Sequence, residues 1–136
     1  MADNIFMKII SGEIPCAKVH EDDRALAFLD IAPAVKGHTL VIPKTHYETL
    51  GEVPDDLLAH LYRIAKQIAN KMVESLGCDG YNILSNNRPA AGQIVPHVHI
   101  HVIPRYENDG AGLVWEPNRA AYKEGEMDEM AGKLKI

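Results

Sequence analysis

The sequence predicts an α+β domain, a mainly antiparallel five-stranded sheet backed by one long helix. Three observations carry that reading. Leu57, Leu61, Ile64, Ile68, Met72 and Leu76 recur at helical spacing, and Leu58, Ala65, Ala69 and Val73 widen the stripe. Short β-rich runs lie on both sides of this stretch, three before it and two after. The first three are joined by connections too short for a parallel crossover, which favours antiparallel pairing.

Taken in order, Ile5-Phe6-Met7-Lys8-Ile9-Ile10 reads as a short helix, capped by Asn4 or Asp3 and stopped by Ser11-Gly12. Strands are expected over 18–21 and 24–29, with Asp22-Asp23 as the turn. Asp30-Ile31-Ala32-Pro33 breaks the pattern, and 38–42 forms the third strand, ending at Pro43. The long helix runs from Asp55 to Leu76, with Pro54 suited to its first turn and Gly77 to its C-terminal cap. Two further strands are expected over 81–85 and 98–103, joined by the loop 86–96. The chain is read as a single domain over 1–136, with its core at about 5–105 and a tail at 106–136. Met127, Met130 and Leu134 are spaced for a terminal helix that docks on the body.

At 136 residues, 46% hydrophobic and 24% charged, the chain can bury a real core. No stretch approaches the roughly 20 apolar residues of a membrane span. Met1-Ala2-Asp3-Asn4 opens no long apolar run, so no secretory leader and a cytoplasmic location are expected. A net charge of −5 argues against binding a nucleic-acid backbone, although a nucleotide can bind through local groups. Cys16 and Cys78 match no zinc or redox spacing and read as two reduced thiols. His20, His46 and His60 read as surface residues.

The informative segment is His97-Val98-His99-Ile100-His101-Val102-Ile103. On a strand, alternate side chains share a face, which lines up the three imidazoles about 6.5–7 Å apart. Val98, Ile100 and Val102 then face the opposite way, into apolar packing against the helix. Three imidazoles add nothing to a core that valines would not supply better, so a purely structural role is disfavoured.

Two chemical readings remain. His-x-His on a strand can hold zinc, but such a site commonly draws a third ligand from elsewhere and a carboxylate around it. No carboxylate lies within eight residues upstream of His97, and the nearest downstream is Glu107. In the other reading, one imidazole is a nucleophile toward phosphorus and its neighbours bind the developing oxyanion. Crowded histidines disfavour each other's protonation, which keeps the attacking ring neutral.

The pattern His-φ-His-φ-His-φ-φ resembles that of the histidine-triad proteins, and residues 97–103 match it in full. The likeness extends over roughly Ile5 to Arg105, through Ile5-Phe6, Glu13-Ile14-Pro15, Ala27-Phe28, Asp30-Ile31, His38, Leu40-Val41-Ile42-Pro43-Lys44 and Gly92-Gln93. It implies a homodimeric nucleotide hydrolase of the Hint type that acts on a nucleoside 5′-phosphoramidate or related adenylated compound. A purine, AMP-type nucleotide is the implied substrate. The alternatives are a dinucleoside polyphosphate hydrolase of the Fhit-like branch, or a nucleotide-binding regulatory protein with incidental activity.

By position, the resemblance implies that His99 is nucleotidylated, and that His97 and His101 orient it and contact the phosphate. His38 is implied as a fourth active-site histidine, and Phe28, Asp30 and Ile31 as holders of base and ribose. Asn86 and Gln93 are implied as polar contacts to the phosphate and ribose side, with Gly92 admitting backbone near the ligand. Ile94 departs from the family, whose Hint-type members carry a hydroxyl after the Gln; the leaving-group contact should change here. Some members hold structural zinc on cysteines beside the N-terminal Ile-Phe; Asn4 and Met7 stand there, so neither metal nor cofactor is expected.

Overall fold

The computed structural model describes residues 4–136. Asp3, the alternative cap, lies outside the described residues; Asn4 caps the first helix by accepting the Met7 N–H on its Oδ1 at 3.0 Å. The elements in order are α1 (Ile5–Ile10), β1 (Lys18–Glu21), β2 (Ala25–Leu29), β3 (Thr39–Pro43), α2 (Asp55–Leu76), β4 (Gly80–Leu84), β5 (Ile100–Arg105) and α3 (Glu126–Leu134). The strands form one five-stranded sheet in the order β1-β2-β3-β5-β4, antiparallel at every pairing. This is the α+β architecture expected from the pattern.

The period of two sorts the sheet into two faces. Ala25, Ala27, Val41, Ile100 and Val102 face α2 and meet Leu61, Ile64, Ala65 and Ala69 in the main core. Leu26, Phe28, Leu40 and Ile42 face the other way and close on Phe6 of α1. Leu61 is 0% exposed, so truncating it to Ala would cost about 2–5 kcal/mol. Gly77 ends α2 at φ 61, where a side chain would be strained. The stripe on α2 is narrower than its sequence suggests, since Val73 and Leu76 remain about half exposed.

Two expectations change outside the core. The terminal helix forms, but Met127, Met130 and Leu134 are exposed and none of its residues is buried on the body. His20 and His60 are not simply solvated: both donate Nε2–H to Asp22 Oδ2, at 2.7 and 2.8 Å, tying the β1–β2 turn to α2. Among the described residues, no helix is long and apolar enough to cross a membrane.

Candidate active site

β5 begins at Ile100, so of the three histidines only His101 lies on the strand. The expected start at Val98 is corrected by hydrogen bonding: the Val98 N–H donates to Tyr47 O at 2.7 Å, outside the sheet. Pro96 has no N–H to give, and the chain reaches the sheet only after the bend around it. The alternation nonetheless survives. Val98, Ile100 and Val102 are buried in the α2 core, while the histidines pack against Phe6 and His38 on the other face. The His99 and His101 rings meet at 4.9 Å.

A carbonyl can only accept and a backbone N–H can only donate, so these partners fix the tautomers. His99 Nδ1 lies 2.7 Å from His97 O and must carry the proton, which leaves the lone pair on Nε2. His97 Nε2 donates to Pro43 O at 2.9 Å. His38 Nδ1 accepts the Ala34 N–H at 3.0 Å, so its Nε2–H donates to His101 Nδ1 at 2.9 Å. His101 must then carry its proton on Nε2. That atom is buried and has no hydrogen-bond partner among the described residues, a donor waiting for an acceptor. Burial keeps all four rings neutral: it holds His97 and His101 at about 4 and lowers His38 and His99 from 6.5.

Beside the histidines lies a cavity of about 510 Å³, lined by Ile5, Phe6 and Ile9 of α1 together with Phe28, Asp30 and Ile31. Phe28 is buried in its floor and meets Phe6 edge-on at 5.7 Å, whereas Ile31 is 99% exposed at its rim. Asp30 belongs to both halves of the site. Its Oδ1 accepts the Ala32 N–H at 2.9 Å, and its Oδ2 lies 3.7 Å from His38 Nε2. The aliphatic and aromatic residues of α1 were legible only as a helix face; nothing in their spacing pointed to a cavity.

The loop before the triad is braced from within. Gln93 is buried, accepts the Arg88 N–H on Oε1 at 2.6 Å and donates Nε2–H to Glu48 O at 2.7 Å. Those bonds tie the loop to the segment at Glu48. Gly92 adopts φ 93, and a Cβ there would lie 3.6 Å from the half-buried Asn86 amide. Ile94 is 92% exposed. His46, expected at the surface, donates Nε2–H to Pro96 O at 2.7 Å and packs edge-on against His97 at 5.2 Å.

Asp30, His38 and His101 are close enough to hold a cation. They fit one poorly, because a ligating His38 Nε2 would push its proton onto Nδ1, against the Ala34 N–H. Nor do Asn4 and Met7 supply the thiolates of a structural zinc site, and the Asn4 carbonyl is already taken by the Met7 N–H.

Fold and site together define a histidine-triad arrangement: a neutral, backbone-oriented imidazole beside a cavity of about 510 Å³ on an antiparallel sheet. The HIT domain model matches residues 11–108, and the chain belongs to the HIT family. It is 49% identical to an uncharacterized HIT-like protein of Methanocaldococcus jannaschii, over 96% of this chain and 98% of that one. An adenosine 5′-monophosphoramidase of Schizosaccharomyces pombe is 46% identical over 82% of this chain and 81% of its own length. An adenylylsulfatase of Arabidopsis thaliana is 42% identical over 97% and 66%. Among solved structures, a HIT family member from Bacillus subtilis superposes with a TM-score of 0.89 at 44% identity, over 97% of this chain and 94% of the other.

Proposed function

We propose that the protein hydrolyses a nucleoside 5′-phosphoramidate or a related adenylated compound through a nucleotidyl-His99 intermediate, without a metal. The observation that carries this is the His99 Nδ1–His97 O bond, which leaves a lone pair on Nε2 of a neutral, buried ring. Relatives named as an adenosine 5′-monophosphoramidase and an adenylylsulfatase support an adenylated substrate.

The base enters the cavity over Phe28 and Ile31, and the Asp30 carboxylate accepts the ribose hydroxyls. His99 Nε2 attacks phosphorus, a new P–N bond forms, and the bond to the leaving amine or acid breaks as that group takes up a proton. His101 Nε2–H donates to a non-bridging oxygen as its charge grows. Water then attacks phosphorus, the P–N bond to His99 breaks, and the nucleoside monophosphate leaves. Asn86, Gly92 and Ile94 border the phosphate side, with Gln93 bracing the loop they share.

We also propose a homodimer. The edge strand β4 has an open side, and Tyr81, Val73 and Leu76 are exposed apolar residues that a second copy would cover. Two free thiols suit a reducing, cytoplasmic setting. The deciding assay is AMP release from adenosine 5′-phosphoramidate by wild type and by His99→Ala, each with and without EDTA. Turnover that needs His99 and ignores the chelator is expected. AMP binding without turnover would favour a regulatory protein instead, and light scattering of a monomer-sized species would remove the dimer.

A further inference from the structure

Helix α1 is the wall between the two halves of the site. Its Ile5, Phe6 and Ile9 line the cavity. The buried Phe6 ring meets Phe28 edge-on at 5.7 Å and also meets His99 at 5.1 Å and His97 at 5.8 Å. One ring thus touches the cavity floor, the nucleophile and the residue that holds the nucleophile.

Asn4, at the head of the same helix, makes a second link. Its Oδ1 caps the Met7 N–H, and its Nδ2 lies 3.5 Å from His97 Nδ1. That is long for a hydrogen bond, and contacts of this kind tighten when a substrate is held. His97 in turn fixes the nucleophile through its carbonyl, 2.7 Å from His99 Nδ1. Neither Phe6 nor Asn4 carries a group that the chemistry at phosphorus requires.

We infer that α1 transmits occupancy of the base cavity to His99, so that the base of the substrate raises kcat as well as lowering KM. Phe6 and Asn4 are positioning residues for the nucleophile. The inference rests on the nucleotide-hydrolase reading above. The physical ground is the size of α1: six residues, held to the sheet by the buried Phe6 and by half-buried Ile9 and Ile10, form a helix too short to be stable without those contacts. A planar base wedged against Ile5 and Ile9 fixes the helix, and with it the Phe6–His99 and Asn4–His97 contacts. An imidazole that swings away from the line of attack loses most of its advantage, so fixing it shows in kcat. Binding energy from a remote part of the substrate then serves orientation at phosphorus.

The test compares kcat and KM for adenosine 5′-phosphoramidate and for abasic ribose 5-phosphoramidate in wild type, Asn4→Ser and Phe6→Leu. Asn4→Ser keeps a side-chain oxygen to cap the Met7 N–H and removes the amide facing His97. In wild type, kcat on the abasic substrate should be at least about tenfold below that on adenosine phosphoramidate. In either variant, the adenosine-to-abasic ratio of kcat should shrink by about three- to tenfold. Equal wild-type kcat on both substrates, with only KM differing, overturns the inference. So does a variant that slows both substrates by the same factor, which marks a merely structural role. If folded wild type turns over neither substrate, the hydrolase reading is what has failed. Ring-nitrogen NMR then decides the coupling: AMP should move the His99 Nδ1–H resonance in wild type and much less in Asn4→Ser. An unmoved wild-type resonance also overturns it.

Discussion

His97 and His101 flank His99, the proposed nucleophile, yet their rings differ in what they have left to give. The His97 ring is 0% exposed, donates to Pro43 O and faces the Asn4 amide with its other nitrogen. The His101 ring receives one hydrogen bond, on Nδ1, and presents Nε2–H with no hydrogen-bond partner among the described residues. One end of the triad is a bracket, the other a donor. Identical residues in a repeated motif take opposite roles because their neighbours settle which nitrogen is free. In the proposed mechanism the contrast also divides the site, with the His97 end joined to the base wall and the His101 end to the phosphate.

The strongest test removes what both ends serve. His99→Ala should lower kcat by at least about 10³-fold, as loss of a nucleophile does. Intact-mass analysis after rapid quench should place the nucleotidyl adduct on His99 in wild type. An adduct on His97 or His101 would reverse the assignment.

The comparison itself breaks or holds on the flanking rings. His101→Ala should cost about 10²–10³ in kcat, the size expected for one donor to a developing oxyanion. His97→Ala should instead cost mostly stability, about 2–4 kcal/mol for a wholly buried, hydrogen-bonded ring, with kcat in the folded fraction falling less. Thermal melts beside single-turnover rates separate the two, and matched kcat losses would erase the distinction.

A smaller effect follows from protonation. All four rings have folded pKa values below the 6.5 of a free imidazole, because burial disfavours the charged form. The unfolded chain therefore binds more protons between 6.5 and the folded values, about 4 for His97 and His101. The stability these rings contribute should be constant above that window, fall as pH drops through it and level off below, where the ion-paired Glu21, Asp22 and Asp109 carboxylates take over the acid loss. Activity should hold at neutral pH and fall with acid as His99 loses its lone pair. A flat melting temperature from pH 7 to 4 would contradict the neutral cluster.

The smallest change is expected at Ile94, which is 92% exposed. Ile94→Ser should leave stability alone and raise kcat/KM on alkyl phosphoramidates over mixed anhydrides by up to about tenfold, the worth of one hydrogen bond. A poor leaving group depends on such a donor more than an acidic one does. Equal changes on both substrate types would mean that the residue after Gln93 does not reach the leaving group.

The number of strands, their antiparallel pairing and α2 were largely legible because alternating and helical apolar spacing are local properties of the chain, whereas the order β1-β2-β3-β5-β4 was not. Val98 was misplaced on a strand because its N–H answers to Tyr47, far away in sequence. His46 and His60 looked exposed for the same reason: Pro96 and Asp22 become their partners only when distant segments meet, whereas His20 meets Asp22 just two residues on, across the turn. The terminal helix shows the converse. Its spacing was read correctly, but no surface of the body covers Met127 or Leu134, and packing cannot be inferred from periodicity alone.

By itself the sequence determined that three imidazoles share one face, that aliphatic residues between them anchor the segment, and that Asn4 and Met7 replace any thiolate. Only the tertiary structure decided which imidazole nitrogen carries each proton. A tautomer is chosen by the group opposite it, and for His97 that group comes from Pro43, for His101 from His38, 54 and 63 residues away in the chain. The free lone pair on His99 Nε2 is thus a property of the fold, held by a backbone group that no residue-type pattern records.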